Sequence, residues 1–251
     1  MRLVTYDRRG RRRLGAVVDE GVVDLAGMVG HPAFPSTMEA LIARPRGTVL
    51  DAARAALGRS DELAEWTVKR PRLLAPILPP SLAINDHRWL VGPDSEISRP
   101  PGSEPRFDLE VAAVIYRPKK PKLKASEAGE CIFGYTLMQS WFSDDSFAAA
   151  LGPCIVTADE FDLGAEVEAR VNGRLWSCGT LADGEVSFPS QIVDAARREE
   201  LLPGEVFGSG TLGLLRDRKP PRAGASIEIE HPSIGVLANK IGPRLRRNQA
   251  S

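Results

Sequence analysis

From Arg106 onward the chain is a succession of short segments in which apolar side chains recur at alternate positions. That pattern limits its fold more than any other. LEVAAVIY, CIFGYTLM, CIVTADEF, EVEARVNGRLW, EVFGSGT and ASIEIEH are each bounded by turn residues. A two-residue period is the mark of a strand with two distinct faces. Only QIVDAARREELL (191–202) in this half has the spacing of an amphipathic helix. The absence of a repeated strand–helix–strand order argues against a doubly wound parallel sheet. Twenty prolines and 23 glycines interrupt the chain too often for a helical bundle. Asn172-Gly173, inside VNGRL, predicts a tight hairpin.

The first 25 residues also alternate, around the polar turn RRGRRR and again at Glu20-Gly21, which predicts an antiparallel meander. Between 37 and 66 the period becomes helical, with Gly58 as a plausible stop. The four prolines of RPRLLAPILPP (70–80) predict a linker. The resulting expectation is an α+β chain, mostly β. It has a small N-terminal α/β domain (1–70), a β-rich domain (71–245) and a basic tail (246–251).

Thirty-three Lys and Arg balance 33 Asp and Glu. A zero net charge argues against a protein built to neutralise nucleic-acid phosphates. No apolar run reaches bilayer length, and no secretory signal opens the chain, so a cytoplasmic location away from membranes is expected. Cys131, Cys154 and Cys178 are odd in number and lack a C-x-x-C pair, so neither a disulfide framework nor a cysteine zinc site is predicted. His31 and His231, each before a proline, are expected at the surface.

Three features carry possible chemistry. GSGTLG (208–213) matches a dinucleotide-binding glycine pattern, but two prolines soon follow and leave no room for the required helix. It reads as a tight turn or a glycine-rich approach to a ligand. His87, beside Asp86, is either a hydrogen-bonded loop histidine or a catalytic one. In FDLEVAAVIY, strand alternation puts Asp108 and Glu110 on one face. Two adjacent carboxylates on an apolar strand repel each other and are costly to bury without compensation. They mark either a hard-cation site or an exposed strand end.

Taken in order, RLGAVVDEGVVDLA, RLLAPILPP, FDLEVAAVI, FGYTLM, LGPCIVTADEFD, LLPGEVFGSGT and AGASIEIEHPSIGVLANKI resemble the fumarylacetoacetate hydrolase family in its small form. The resemblance implies a mixed β-sandwich roll, a homodimer, and a Mg²⁺ or Mn²⁺ site between the sheets. It implies cleavage or decarboxylation of a 1,3-diketo or 2-keto acid. The family's Glu-x-Glu ligands fall on Asp108 and Glu110. Its third carboxylate falls on Ser140, with Gln139 before it; both are carried over as substrate-binding, together with Gly210 and Thr211. His87 matches the family's catalytic histidine.

This sequence departs from the family where chemistry is expected. Ser140 replaces a carboxylate, so the metal is expected to bind weakly or not at all. Ser143 and Ser146 stand where the family has Lys and Asp, with new charges at Asp144 and Asp145. Leu90 replaces the Glu that helps the histidine activate water. Only Arg88 and Trp89 separate His87 from LVGP, so the substrate-closing lid is shortened away. The expectation is an enzyme of the family type. The alternatives are a metal-independent isomerase, cyclase or decarboxylase on the same fold, or a catalytically silent binding protein.

Overall fold

The computed structural model describes residues 1–80, 90–100, 104–116, 123–143, 146–183, 187–213 and 219–244. His87, Asp144 and Asp145 lie outside them. The chain opens on β1 (Arg2–Arg8), β2 (Arg11–Val18) and β3 (Gly21–Asp24), followed by α1 (Leu25–Val29), α2 (Met38–Ile42), α3 (Arg46–Leu57) and α4 (Leu63–Trp66). Short strands β4 (Thr67–Val68), β5 (Leu73–Leu74), β6 (Leu90–Val91) and β7 (Glu96–Arg99) lead to β8 (Arg106–Ile115). Then come α5 (Ala125–Ala128), β9 (Ile132–Phe142), β10 (Ser146–Thr157), β11 (Val167–Val171), β12 (Arg174–Gly179) and α6 (Phe188–Ala196). The chain closes with β13 (Val206–Gly208), β14 (Ser226–His231) and β15 (Gly235–Arg244).

Ten strands form one sheet in the order β13-β8-β9-β10-β1-β2-β3-β4, with β5 on β1 and β6 on β10. Five form a second, β12-β11-β14-β15-β7. This is the expected strand-dominated α+β architecture. The expected boundary near residue 70 does not interrupt the sheet, because β1 pairs with β10 through Leu3 and Ile155. Nor is RPRLLAPILPP a spacer. Leu73 and Leu74, which keep their N–H groups between the prolines, pair with Tyr6 and Thr5, and Thr5 Oγ1 donates to Pro76 O at 2.6 Å.

The central strands are buried on both faces, which sets where the site can lie. Leu109, Val111, Leu137 and Trp141 face the second sheet and meet Ala169, Ile229 and Leu237. Ala112, Val114, Met138 and Leu151 face outward and pack with Leu41, Ile42 and Leu50 from α2 and α3. Each buried Val, Leu, Ile or Met here contributes roughly 1.5–3 kcal/mol, so charge on either face of these strands needs a specific reason.

Local signals mostly held. Asn172 and Gly173 take positive φ (50° and 75°) at the β11–β12 hairpin. Gly58 caps α3, whose Val49, Leu50, Ala53 and Ala56 form its buried stripe. The helix expected at 191–202 is instead α6, beginning at Phe188 and ending at Ala196. The Ser187 side chain accepts from Ser190 N and a proline sits in the first turn, both ordinary start signals. His31 is exposed, as expected. His231, expected at the surface, is instead buried at 1% exposure and stacks on Phe161 at 4.5 Å. Its Nδ1 accepts from Ser233 N, so Nε2 carries the proton and donates to Asp162 O at 3.1 Å.

Candidate active site

On the outward face of β8 and β9 the register builds a series of rungs. Arg106 lies opposite Phe142, Asp108 opposite Ser140, Glu110 opposite Met138, and Ala112 opposite Thr136. Exposure falls along β8: Arg106 is exposed, Asp108 partly buried, Glu110 6% exposed and Ala112 fully buried. The two carboxylates therefore share a face, as alternation required, but Glu110 is not an exposed strand end.

A third wall comes from the segment after β13. Gly208 pairs with Ala112. Beyond it Ser209 N donates to Val111 O and Leu212 N to Leu109 O, both at 2.8 Å, so GSGTLG runs along the open edge of β8. Gly210, at φ 73°, aims its N–H at Glu110 Oε2 at 3.0 Å. The left-handed backbone there favours glycine. A Cβ at Gly208 would fall on Glu110 Oε2 and Met138 Cε, so the close approach of backbone to carboxylate also requires glycine. The Ser140 hydroxyl donates to Glu110 Oε1, and the Thr211 side chain hydrogen-bonds Asp108.

Electrostatics follow from that packing. Burial pushes the Glu110 carboxyl up to about 7; the Ser140 hydrogen bond opposes this, the Asp108 charge adds to it, and the Gly210 N–H opposes it. Burial also raises Asp108, against the bond from Thr211. No Lys or Arg acts on either carboxylate among the described residues. Among the described residues the pair is thus desolvated and without a counter-ion.

Of the four expected substrate-binding residues, Ser140, Gly210 and Thr211 contact the pair, whereas Gln139 does not. Gln139 points to the opposite face of β9, fully buried, where its Nε2 donates to Leu237 O and its Oε1 accepts from Trp141 Nε1, both at 3.3 Å. It ties the two sheets together and is withdrawn as a substrate contact. The acidic pair is likewise on the outward face of the ten-stranded sheet, not between the sheets as expected. Leu90 pairs with Ala149, which itself lies opposite Ser140, so β10 separates Leu90 from Ser140. Met138 was missed by sequence reading, although it shares the outward alternation of β9 with Ser140.

A Mg²⁺-like ion suits this donor set in kind, because such ions take one or two carboxylates and keep several waters. Asp108 and Glu110 supply the carboxylates and Ser140 stands beside them. No cluster of three or more His, Cys, Asp or Glu occurs among the described residues. No helix among them is long and apolar enough to cross a membrane.

Residues 49–242 match the family model for the C-terminal domain of fumarylacetoacetate (FAA) hydrolase, and the chain belongs to that family. Oxaloacetate tautomerase YisK of Bacillus subtilis is 25% identical over 181 residues, covering 64% of this chain and 58% of the relative. Human mitochondrial oxaloacetate tautomerase FAHD2A is 28% identical over 177 residues, covering 61% and 55%. This chain thus spans little more than half of those relatives. Maleylpyruvate hydrolase from Sphingobium sp. SYK-6 superposes with a TM-score of 0.75 at 22% identity, over 97% of this chain and all of that one. Its complex with manganese(II) and pyruvate gives 0.74 at 22% identity, over 98% and 100%. At these identities the likeness to solved structures is one of fold.

Proposed function

We propose that the chain is an enzyme acting on a 2-keto or 1,3-diketo acid, assisted by a weakly held Mg²⁺ or Mn²⁺, and better suited to enolisation or decarboxylation than to hydrolysis. One observation carries this reading: Asp108 and Glu110 are held together, desolvated, with no cation beside them among the described residues. Asp108 and Glu110 would hold the ion, with Ser140 as the neutral neighbour in place of a third carboxylate. A bound divalent ion supplies Lewis-acid stabilisation of the negative charge that develops on a keto oxygen. Gly208 and Gly210 fix the position of Glu110, and Thr211 orients Asp108. His87, by family resemblance, moves the proton. With Leu90 where the family has Glu, His87 lacks the partner that would help activate water, which supports the chemistry that needs no water nucleophile. The substrate is a small keto acid; nucleic acid and membrane are not partners, and the assembly is a homodimer.

A metal-independent reading rests on a different observation. Both oxygens of Glu110 already accept hydrogen bonds, from Ser140 and Gly210. The two readings separate in one assay. Oxaloacetate and an acylpyruvate are followed by enol absorbance and pyruvate release, in Mn²⁺ and after chelator treatment. The proposal expects turnover that depends on Mn²⁺ and is lost in Asp108→Asn. Turnover that survives chelation but not Asp108→Asn would favour the metal-independent reading. Turnover indifferent to Asp108→Asn would remove the site from the reaction.

A further inference from the structure

The segment that faces Glu110 leaves the β-ladder at one peptide. In a regular antiparallel pair, opposite residues of the bonded kind exchange two backbone hydrogen bonds. Ser209 follows the Gly208–Ala112 pair and so lies opposite Val111, and its N–H donates to Val111 O at 2.8 Å. The return bond is different. Val111 N donates to the Ser209 hydroxyl at 3.2 Å, and that hydroxyl donates to Gly210 O at 2.8 Å. Ser209 is 8% exposed, so the replacement is made inside the protein. The Ser209 carbonyl and the Gly210 N–H belong to one planar trans peptide and point opposite ways. Had the carbonyl kept its ladder place toward β8, the Gly210 N–H would point away from that strand. It points instead to Glu110 Oε2 at 3.0 Å, with Gly210 at φ 73°. The chain is fixed on both sides of this peptide. Gln191 Nε2, from α6, donates to Gly208 O at 3.1 Å, and Leu212 N donates to Leu109 O at 2.8 Å.

We propose that Ser209 is a positioning residue for the site: its hydroxyl takes the ladder place of its own carbonyl and holds the 209–210 peptide turned toward Glu110. This rests on the proposed function, which places Glu110 in the reacting site. A serine hydroxyl suits the task because it accepts and donates at once. Accepting satisfies the Val111 N–H, which would otherwise be a buried donor without a partner. Donating to Gly210 O ties down the far side of the turned peptide. Alanine at this position leaves two arrangements. Either the Val111 N–H goes unpaired, or the peptide rotates back into the ladder and takes the Gly210 N–H away from Glu110. The second costs less, since it forms a backbone bond where the first leaves one unmade, and glycine at 210 tolerates the rotation. Threonine keeps the hydroxyl and with it the turned peptide.

The test follows the Gly210 amide by NMR in the full chain after chelator treatment, beside steady-state turnover of oxaloacetate with Mn²⁺. In Ser209→Ala the Gly210 proton is expected to move upfield and to exchange at least about tenfold faster, because it loses its carboxylate partner. The same variant is expected to lower kcat roughly tenfold or more. Ser209→Thr is expected to keep the wild-type signal and turnover. Ser209→Cys, whose sulfur accepts only weakly, gives the same reading in weaker form and is used if alanine does not fold. A Gly210 signal unchanged in the folded variant would overturn the inference, even with a lowered thermal midpoint, and leave Ser209 a packing residue. A displaced signal with unaltered kcat would overturn it too, since the turned peptide would then serve no step. A displaced signal where wild type itself shows no turnover would uphold the assignment of Ser209 and bring down the proposed reaction instead.

Discussion

The Ser140 hydroxyl donates its hydrogen bond to Oε1 of Glu110, across the β8–β9 pair. The family resemblance implies a third carboxylate at this position, where the serine brings no charge. A carboxylate there would face Asp108 directly, since Ser140 and Asp108 are register partners. Hard-cation sites gain affinity with ligand charge. Ser140→Asp is therefore expected to tighten Mn²⁺ binding by at least about tenfold in calorimetry. Unchanged or weaker binding would mean that the ion is not held between these strands.

Gly208 offers a second probe of the same carboxylate. A methyl group there would fall on Glu110 Oε2 and Met138 Cε. Met138 is flexible and can yield, but Glu110 is also held by Gly210 and Ser140 and must shift. Gly208→Ala is expected to lower turnover of the keto acid at least tenfold while moving the thermal midpoint by no more than a few degrees. A variant with wild-type turnover would show that Glu110 needs no fixed position.

The acidic pair and the β-rich fold were legible because both depend on a local period. Asp108 and Glu110 differ by two residues, and alternation alone gives them one face. The same rule separates Gln139 from Ser140, and it overrides the family resemblance that grouped the two residues. It also places Arg106 beside the pair. What stayed hidden was long-range. Nothing local says that Gly210 will reach Glu110, or that β1 will join β10, because partner strands are chosen by packing across many residues. His231 was misplaced for a similar reason. A histidine before a proline resembles a surface turn until Phe161 arrives from a distant segment to stack on it.

His231 is expected to make stability depend on pH. Its buried ring accepts the Ser233 N–H through Nδ1, and protonation would set two donors against each other. Burial lowers its pKa below the ordinary 6.5, opposed by the bond to Asp162 O. The unfolded chain therefore binds the proton first, and stability falls as pH drops below about 6.5. In His231→Phe the stacking is kept but both hydrogen bonds are lost. That variant is expected to be less stable at pH 8 by about 1–3 kcal/mol and to lose part of the decline between roughly pH 7 and 5. Urea titrations across that range check it; an undiminished decline would assign the effect elsewhere.

Asp24 governs a lower pH window. It is 1% exposed and accepts from Tyr6 Oη at 2.7 Å, from Arg8 and Arg13 at 2.8 Å, and from Gly27 N at 3.0 Å. One carboxylate thereby joins β1, β2 and β3 and caps α1. Burial alone would raise its pKa, but the bonds from Arg13, Gly27 and Tyr6 prevail and hold it at about 2. The folded chain therefore resists protonation that the unfolded chain accepts near pH 4. The associated stability, about 2–3 kcal/mol, is present above pH 4 and is lost as pH falls toward 2. Asp24→Asn leaves two arginines without their buried partner and is expected to cost about 3–5 kcal/mol at pH 7. The gap between variant and wild type should narrow between pH 4 and 2, measured by urea unfolding at each pH. A gap that stays constant through that window would show that Asp24 does not titrate there.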